Sequence, residues 1–339
     1  MSDDVVDDVR RIFGDLEDVA ERVQAARSTA PLRPMGVSAD RADRERGRLL
    51  ADGVAGLSKM RAGRDDDVDE AERLGLRAIV QQEGRPAIVV RDGDFGDPPA
   101  LWSHLNARRE HIREVIARAG RVEVDGHPYH EWVGTASLVA PATLMTNRHV
   151  AKTFCKRGRR RSWTFRPGMR PRIDFVREQD STSSLQFEIT DAIGVHEDHD
   201  LALLRIESAS RDGLPLPDPL TVAASAPPDL LGRDVYLVGY PMSDPGRNDP
   251  DAIERIFRDV FDVKRLQPGR TVGYSTARSA LEHDCSTLGG NSGSPLVDLE
   301  TSLVIGLHFG GRYEVGNYAV PLWMLADDPL LKAGGIDFR

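Results

Sequence analysis

Three short polar segments of this 339-residue chain carry side chains that together can make a serine hydroxyl nucleophilic. They contain His149, Asp200 and Ser292, in that order along the chain. A serine hydroxyl is a poor nucleophile at neutral pH. It needs an imidazole to accept its proton and a carboxylate to orient that imidazole. These residue types therefore indicate nucleophilic catalysis by a serine.

Glycines flank the serine in the segment Gly-Gly290-Asn-Ser292-Gly293. A nucleophilic serine also needs backbone N–H donors that point at the oxyanion developing on the substrate. Glycine lets the backbone turn such donors inward and lets a substrate carbonyl approach closely. The segment is therefore typical of an oxyanion-binding turn.

The segments Thr-Asn-Arg-His149-Val and Gly-Gly-Asn-Ser292-Gly-Ser-Pro resemble the histidine and serine motifs of the chymotrypsin-like (trypsin-like) serine proteases. Over about residues 121–330 the chain is most similar to the bacterial glutamyl-endopeptidase and HtrA-type enzymes. The resemblance implies that His149 is the general base and then acid, that Asp200 orients it, and that Ser292 is the nucleophile. It also implies an oxyanion hole formed by the N–H groups of Gly290 and Ser292, and no metal or organic cofactor.

The segment around Asp200 offers two other interpretations. Asp198 is a rival for the orienting carboxylate, but Asp200 directly precedes the apolar run Leu-Ala-Leu-Leu, as in the family motif. His196 and His199 have side chains that bind metals, but they match no ligand pattern of known spacing. We therefore predict the orienting role for Asp200 and no metal site.

Asn291 is a departure from the trypsin pattern, which has an aspartate just before the nucleophile. In secreted zymogens of the family that carboxylate pairs with an amino terminus freed by cleavage, and asparagine cannot form this ion pair. We therefore expect hydrogen bonds to hold the pocket. We also expect residues 1–80 to be dispensable for activity on a small peptide.

The resemblance also places the primary specificity pocket. Its base lies six residues before the nucleophile, at Ser286, which Thr287 follows, while Asp284 is two residues out of register. His308 matches the pocket-wall histidine that meets an acidic substrate side chain in glutamyl endopeptidases, or it is a plain strand residue. We predict cleavage after acidic residues, with hydroxyl donors at the pocket base. His308 can donate a proton-bearing nitrogen to the substrate carboxylate, and partial protonation would strengthen that bond.

The chain from Arg121 onward is typical of β structure. Short apolar runs alternate with turn residues, for example at 132–139, 201–206, 235–239 and 302–307. Many short strands predict a barrel or a sandwich. With the resemblance, the fold class is β-rich with an α extension, namely two antiparallel β-barrels of the chymotrypsin type after an N-terminal helical region.

Residues 1–27 predict one amphipathic helix whose apolar positions alternate by four and three. These positions are Val5, Val9, Ile12, Leu16, Val19 and Val23. So narrow a stripe packs against another helix, either in an intramolecular bundle or in a coiled coil with a partner protein.

Further helices are predicted over about 38–60 and from about 68 to Gln82, the latter with carboxylate caps among residues 65–67. Two more are predicted over 100–118 and 322–331.

The resulting division has three parts. Residues 1–82 form a helical region for regulation or recruitment, 83–120 form a connecting strand and helix, and 121–339 form the protease domain. The loop 152–172 carries nine cations and no acid. It is either a solvated loop or a steering patch for an acidic protein or a phosphate backbone.

Composition limits the partners and the compartment. The net charge of −9 argues against a general nucleic-acid binder. No apolar run approaches the roughly 18 residues of a membrane-spanning helix, and the acidic start of the chain does not resemble an export signal. The two cysteines, Cys155 and Cys285, cannot build a disulfide framework, so we expect them to be reduced in a cytoplasmic protein.

The function that these residues predict is an intracellular serine endopeptidase that acts on a protein or peptide, with a partner effector protein as one candidate substrate. The alternative is a catalytically inactive, protease-like module that binds a peptide and recruits a partner through its N-terminal helices.

Overall fold

The structure is a computed structural model. It describes residues 5–13, 15–26, 39–159, 162–243, 250–312 and 316–339.

The N-terminal part is helical. Its helices are α1 (Val5–Ile12), α2 (Leu16–Ala26), α3 (Ala39–Arg61) and α4 (Glu70–Gly84). The single helix predicted over 1–27 is wrong, because the chain breaks before α2. There the Asp15 carboxylate accepts the N–H groups of Glu17 and Asp18 at 2.9 and 3.4 Å. Asp15 thus caps the N-terminus of a second helix. Residues 1–4, 14 and 27 of that prediction lie outside the described residues.

The cap of α4 also differs from the prediction. Residues Asp65–Asp67 form a 3-10 turn, and Asp69 is the residue that caps the helix. Its carboxylate accepts the Glu72 N–H, and the Glu72 carboxylate accepts the Asp69 N–H, both at 2.9 Å. This reciprocal pair satisfies two donors that the first helical turn would otherwise leave free.

The apolar stripe of the first two helices packs inside the chain. Its buried members join one hydrophobic cluster with residues of α3 and α4, among them Leu57 and Leu76. Helices α3 and α4 are in close contact where Gly75 faces Gly53. A Cβ at Gly75 would lie 2.2 Å from the Gly53 nitrogen, so this approach requires glycine. The contacts are thus those of an intramolecular bundle.

The connecting segment belongs structurally to the second barrel. It contains β1 (Ile88–Arg91), β2 (Asp94–Phe95), a 3-10 turn (Ala100–Arg108) and α5 (Arg109–Arg118), so only half of the helix predicted over 100–118 is α-helical. Strand β1 runs antiparallel to a strand of that barrel, with Ile88 opposite Leu266.

The first barrel is a closed sheet of six antiparallel strands. They are β3 (Ala119–Asp125), β4 (Trp132–Ala140), β5 (Thr143–Thr146), β8 (Arg170–Asp174), β9 (Gln186–Val195) and β10 (Ala202–Ile206), in the spatial order β10-β5-β4-β3-β8-β9. Helix α6 (Arg148–Phe154) and the hairpin of β6 (Cys155–Arg157) and β7 (Trp163–Phe165) lie between β5 and β8.

The second barrel is also built from six antiparallel strands. They are β11 (Asp234–Gly239), β12 (Arg265–Ser275), β13 (Ala280–His283), β14 (Pro295–Asp298), β15 (Val304–Arg312) and β16 (Gly316–Pro321). The order β11-β14-β15-β16-β13-β12 is closed by pairing of β11 with β12, and β1 and β2 extend the sheet beyond β12. Helix α7 (Pro250–Phe257) lies between β11 and β12. The predicted fold class, two antiparallel barrels after a helical region, is confirmed.

The end of the chain differs in detail from the helix predicted over 322–331. It forms a 3-10 turn (Leu322–Leu325) and then α8 (Pro329–Ala333). The break has a local cause, because the Asp328 carboxylate accepts the first N–H groups of α8 and Pro329 occupies its first turn. In the part of the chain that is described, no helix is long and apolar enough to cross a membrane.

Candidate active site

His149 lies in the first turn of α6, directly after β5 of the first barrel. Its Nδ1 lies 2.6 Å from Oδ2 of Asp200, and its backbone N–H donates to Oδ1 of the same carboxylate at 2.9 Å. One carboxylate therefore fixes both the ring and the backbone of the histidine. With Nδ1 protonated toward the carboxylate, Nε2 keeps its lone pair, and the half-exposed side chain leaves it accessible.

Asp200 lies two residues before the start of β10, and its backbone carbonyl accepts a hydrogen bond from Asn147 Nδ2 at 2.8 Å. Burial would raise the pKa of Asp200, but the hydrogen bonds from the His149 ring and backbone N–H and the charge of Arg148 outweigh it. They hold the pKa below its usual value. The carboxylate is therefore ionised at neutral pH, as an orienting group must be.

The neighbours of Asp200 have other partners. The backbone N–H groups of Asp198 and His199 donate to Nδ1 of His196, and Nε2 of His196 lies 3.2 Å from Asp328 at the start of α8. Within the described ranges, no group of three histidine, cysteine or acidic side chains is placed to hold a metal ion.

Ser292 lies in the loop between β13 and β14 of the second barrel, and its carbonyl accepts the Thr135 N–H of the first barrel at 2.9 Å. Gly134 makes this approach feasible, since a Cβ there would lie 2.8 Å from Val150 and 3.1 Å from the Ser292 carbonyl oxygen. Val150 is the residue after His149. The close approach at Gly134 therefore brings the segment of His149 and the segment of Ser292 to the same part of the interface between the barrels. Among the described residues the Ser292 hydroxyl has no hydrogen-bond partner. Such bonds in unliganded enzymes are often long and tighten when substrate binds.

The turn before Ser292 presents its donors in a fixed orientation. The Gly289 carbonyl accepts the Met242 N–H at 2.6 Å, and because a planar trans peptide points its C=O and N–H oppositely, the Gly290 N–H faces the other side. Gly290 has φ +86°, and a Cβ there would lie 2.4 Å from both the Trp132 ring and the Tyr240 carbonyl. Only glycine fits this position.

Two threonines of the first barrel hold this turn. Thr135 Oγ1 donates to the Gly290 carbonyl at 2.9 Å, and Thr146 Oγ1 donates to the Thr135 carbonyl at 2.7 Å. A Cβ at Gly293, whose φ is +91°, would lie 2.0 Å from the Thr135 oxygen. In the sequence, these threonines are visible only as hydroxyl residues that interrupt apolar strands, so no role could be predicted for them.

Residues 134–307, which contain the histidine, aspartate and serine segments, match the trypsin-like peptidase domain. The chain belongs to the trypsin-like peptidase family. A probable serine protease of Lysobacter enzymogenes is 28% identical to it over 321 residues, which cover 83% of this chain and 80% of that protein. The family that the motifs resemble is therefore confirmed, and the protein is a serine protease by class.

Two solved structures are similar in fold. The serine endoprotease from Yersinia pestis has a TM-score of 0.45 and 17% identity, and the match covers 67% of this chain and 66% of that one. A protease from M. tuberculosis in its active form has a TM-score of 0.44 and 19% identity, with 71% and 89% covered.

The hydroxyls expected at the base of the trypsin-like pocket donate away from it. Ser286 Oγ donates to the Arg85 carbonyl at 2.6 Å, and Thr287 Oγ1 donates to Oδ1 of Asn317 at 2.7 Å. Each hydroxyl has a single proton. Neither proton is therefore left for a substrate carboxylate, contrary to the expected donor role.

His308 on β15 is 2% exposed, and its Nδ1 lies 3.1 Å from Nε2 of His283 on β13. Burial, then the neighbouring His283 and His149, lower the pKa of His308 well below its usual value. The ring is therefore neutral, so no partial charge is available to strengthen a bond to a substrate carboxylate. Nε2 of His308 makes no hydrogen bond to the described residues.

Asn291 is fully buried, but its side chain is weakly held. Its Nδ2 donates to the Leu288 carbonyl at 3.4 Å, and its Oδ1 has no partner among the described residues. The hydrogen bonds that we expected to hold the pocket are thus mostly not made by Asn291 itself.

The cationic stretch 152–172 is not a loop as predicted, because it contains the end of α6, the hairpin of β6 and β7 and the start of β8. Some of its cations make internal contacts. Arg172 pairs with Glu123 at 2.9 Å and with Asp125, and Arg157 lies 3.5 Å from Glu197. Arg160 and Arg161 lie outside the described residues.

Proposed function

We propose that the protein is a serine endopeptidase that hydrolyses peptide bonds through an acyl-enzyme on Ser292. The observation that carries this proposal is the double contact of Asp200 with the ring and the backbone of His149. This contact selects the tautomer in which Nε2 is a base, and it stabilises the imidazolium that forms during the reaction. The orientation of the Gly290 N–H supplies the matching electrostatic part of the site.

The reaction follows from these positions. Nε2 of His149 takes the proton of Ser292 Oγ while the oxygen attacks the scissile carbonyl carbon, and the N–H groups of Gly290 and Ser292 donate to the resulting oxyanion. The imidazolium then gives its proton to the leaving amine as the C–N bond breaks. A water molecule, deprotonated by the same nitrogen, attacks the ester and regenerates the serine.

We further propose that the enzyme acts inside the cell, with a partner protein as one candidate substrate. Support for the compartment comes from Cys155 and Cys285, which are both free and buried. Burial raises the pKa of the Cys155 thiol to about 12, so this thiol stays protonated and unreactive. Support for a protein substrate comes from the helical bundle ahead of the barrels, which offers a second surface for recruitment.

A fluorophosphonate probe with intact-mass detection tests the chemistry. We expect one adduct on the wild-type protein, none on Ser292→Ala, and strongly slowed labelling of His149→Ala. A wild-type protein that is folded and remains unlabelled would instead favour the inactive peptide-binding module.

A further inference from the structure

The loop that leads to the nucleophile rests on a segment outside the region that matches the family. This buttress segment, residues 85–88, follows directly after α4 and leads into β1. It contacts residues 284–288 by two independent sets of interactions, one of charged and polar groups and one of apolar side chains.

The polar set is centred on a buried ion pair. Arg85 Nε and Nη2 donate to the two oxygens of Asp284 at 2.7 and 2.6 Å, and the Arg85 side chain is fully buried. Oδ1 of Asp284 also accepts the Arg270 N–H at 2.6 Å. Two residues further on, Ser286 Oγ donates to the backbone carbonyl of Arg85. A bidentate guanidinium–carboxylate pair fixes distance and orientation together.

The apolar set lies next to the oxyanion turn. Ala87 of the buttress segment packs in one buried cluster with Phe257 of α7 and Leu288. Arg265 donates to the Ala87 carbonyl and to the Phe257 carbonyl, so the two sides of this cluster are joined by one buried side chain. Leu288 is two residues before Gly290, whose N–H belongs to the proposed oxyanion hole.

We propose that Arg85 is a positioning residue for peptide-bond hydrolysis, which holds the loop from Asp284 to Gly290 in its productive geometry. This inference rests on the proposed function. The loop needs such support because the buried side chain of Asn291, the next residue, makes a single long hydrogen bond to the described part of the chain. The pair also removes Asp284 as a free anion near the pocket, because both of its oxygens already accept from Arg85.

The test compares two ion pairs of the same kind in the second barrel. Arg233 and Asp298 form a bidentate pair at 2.7 and 2.9 Å, and the other partners of Asp298 lie in the turn after β14. Asp284→Asn and its control Asp298→Asn thus remove the same charge from similar pairs. Arg85→Lys, which keeps the charge but not the bidentate geometry, should lose less activity than Asp284→Asn.

We expect Asp284→Asn to lower kcat/KM for a peptide by at least about tenfold, mainly through kcat, at temperatures where the variant is fully folded. Asp298→Asn should lower the Tm comparably and leave kcat/KM within about twofold. If Asp284→Asn fails to fold, the double variant Arg85→Met/Asp284→Asn carries no unpaired buried charge and takes its place. Equal kcat/KM for the variants of both pairs would overturn the proposal.

Hydrogen exchange separates this proposal from the proposed function. Asp284→Asn should lose amide protection in peptides that span 284–292, and Asp298→Asn should not. If the loop keeps its protection, Arg85 does not position it, whatever the activity. If the loop loosens as expected but the wild type neither hydrolyses peptides nor reacts with the probe, the proposed function fails instead.

Discussion

Single residues decide whether the site can run its chemistry at neutral pH. The pKa of Asp200 is lowered because His149 donates to both of its oxygens, so the carboxylate keeps its charge opposite the imidazolium. His308 is held neutral by burial beside His283. The two groups differ because Asp200 receives hydrogen bonds to its charged form, whereas burial disfavours the charged form of His308.

Substitution of the three central side chains should separate catalysis from folding. Ser292→Ala and His149→Ala should abolish peptidase activity, and Asp200→Asn should lower kcat by about 10⁴, because an amide selects the wrong imidazole tautomer. Double variants should be no worse than single ones, since the residues act as a unit. Steady-state kinetics beside circular dichroism check this, and full activity of Ser292→Ala would refute the assignment.

A second prediction at the residue scale concerns the substrate residue after which the enzyme cleaves. Asp284 is neutralised by Arg85, so we expect cleavage after Arg or Lys to be rare, and cleavage after Glu to exceed it. We predict that His308 recognises the carboxylate through a neutral N–H, and that His308→Ala therefore costs roughly 1–3 kcal/mol in kcat/KM for a Glu substrate. Leu substrates should be affected far less.

Mass spectrometry of the cleavage products of a denatured proteome measures this preference. A profile dominated by Arg and Lys would contradict the neutral Asp284–Arg85 pair. A profile of small apolar residues that His308→Ala leaves unaltered would make His308 a wall residue only.

At the scale of elements, periodicity in the sequence predicted the helical region and several strands, but it misplaced several breaks and did not predict α6 and α7. Three of the misplaced boundaries lie at an aspartate that accepts N–H groups of a new helix, namely Asp15, Asp69 and Asp328. The boundary within 100–118 lies at Arg108, whose side chain makes no capping hydrogen bond. The aspartate caps are visible in the sequence, but each competes with neighbouring acids. The choice depends on how the next helix packs, which is a tertiary effect.

The site shows the same limit. Motifs identified His149, Asp200 and Ser292 because their chemistry demands those residue types. The contacts that hold the serine loop are different, since Arg85 and Asp284 are 199 residues apart and no local pattern pairs them. Thr135 was likewise visible only as a hydroxyl in a buried strand.

The histidine pair that links β13 and β15 should make stability depend on pH. Burial lowers the pKa of His283 to about 3, so below about pH 6.5 the unfolded chain binds protons that the folded protein does not. Stability is therefore complete above that pH and falls as the pH drops. The loss is up to about 1.4 kcal/mol per pH unit for each histidine.

Urea unfolding at pH 7.5 and pH 5 measures this effect. His283→Asn should reduce the difference in unfolding free energy between the two pH values by about 2 kcal/mol. The matched control is His130→Asn, an exposed histidine between β3 and β4, which should leave the difference nearly unchanged. An unaltered pH dependence in His283→Asn would show that the pair is not the cause.

For the whole molecule, the helical bundle and the barrels have separate hydrophobic cores. The bundle cluster lies within residues 5–80, whereas the buttress segment supplies Ala87 to a cluster of the barrel side. The link between them is polar, since Asp8 of α1 lies 2.7 Å from Arg270 and 3.6 Å from Arg85. Arg85 therefore belongs to the barrel side, where it pairs with Asp284, and its contact with the bundle is the longer one to Asp8.

Two truncations that differ by seven residues test this organisation. A protein lacking residues 1–80 should keep most of its activity on a small peptide, because Arg85 and Ala87 remain. A protein lacking residues 1–87 should lose it while its barrels remain folded by circular dichroism. Equal activity of the two truncations would show that the buttress segment does not matter, and equal loss would give the bundle itself a part in building the site.

Peptide-bond cleavage at Ser292 is the central proposal for this protein, and counting new protein termini tests it most directly. A denatured protein mixture is incubated with the wild type or with Ser292→Ala, and new amino termini are quantified by mass spectrometry. We predict new termini that accumulate with time for the wild type and none above background for the variant. Termini that appear equally with Ser292→Ala, or that are absent with a folded wild type, would contradict the account.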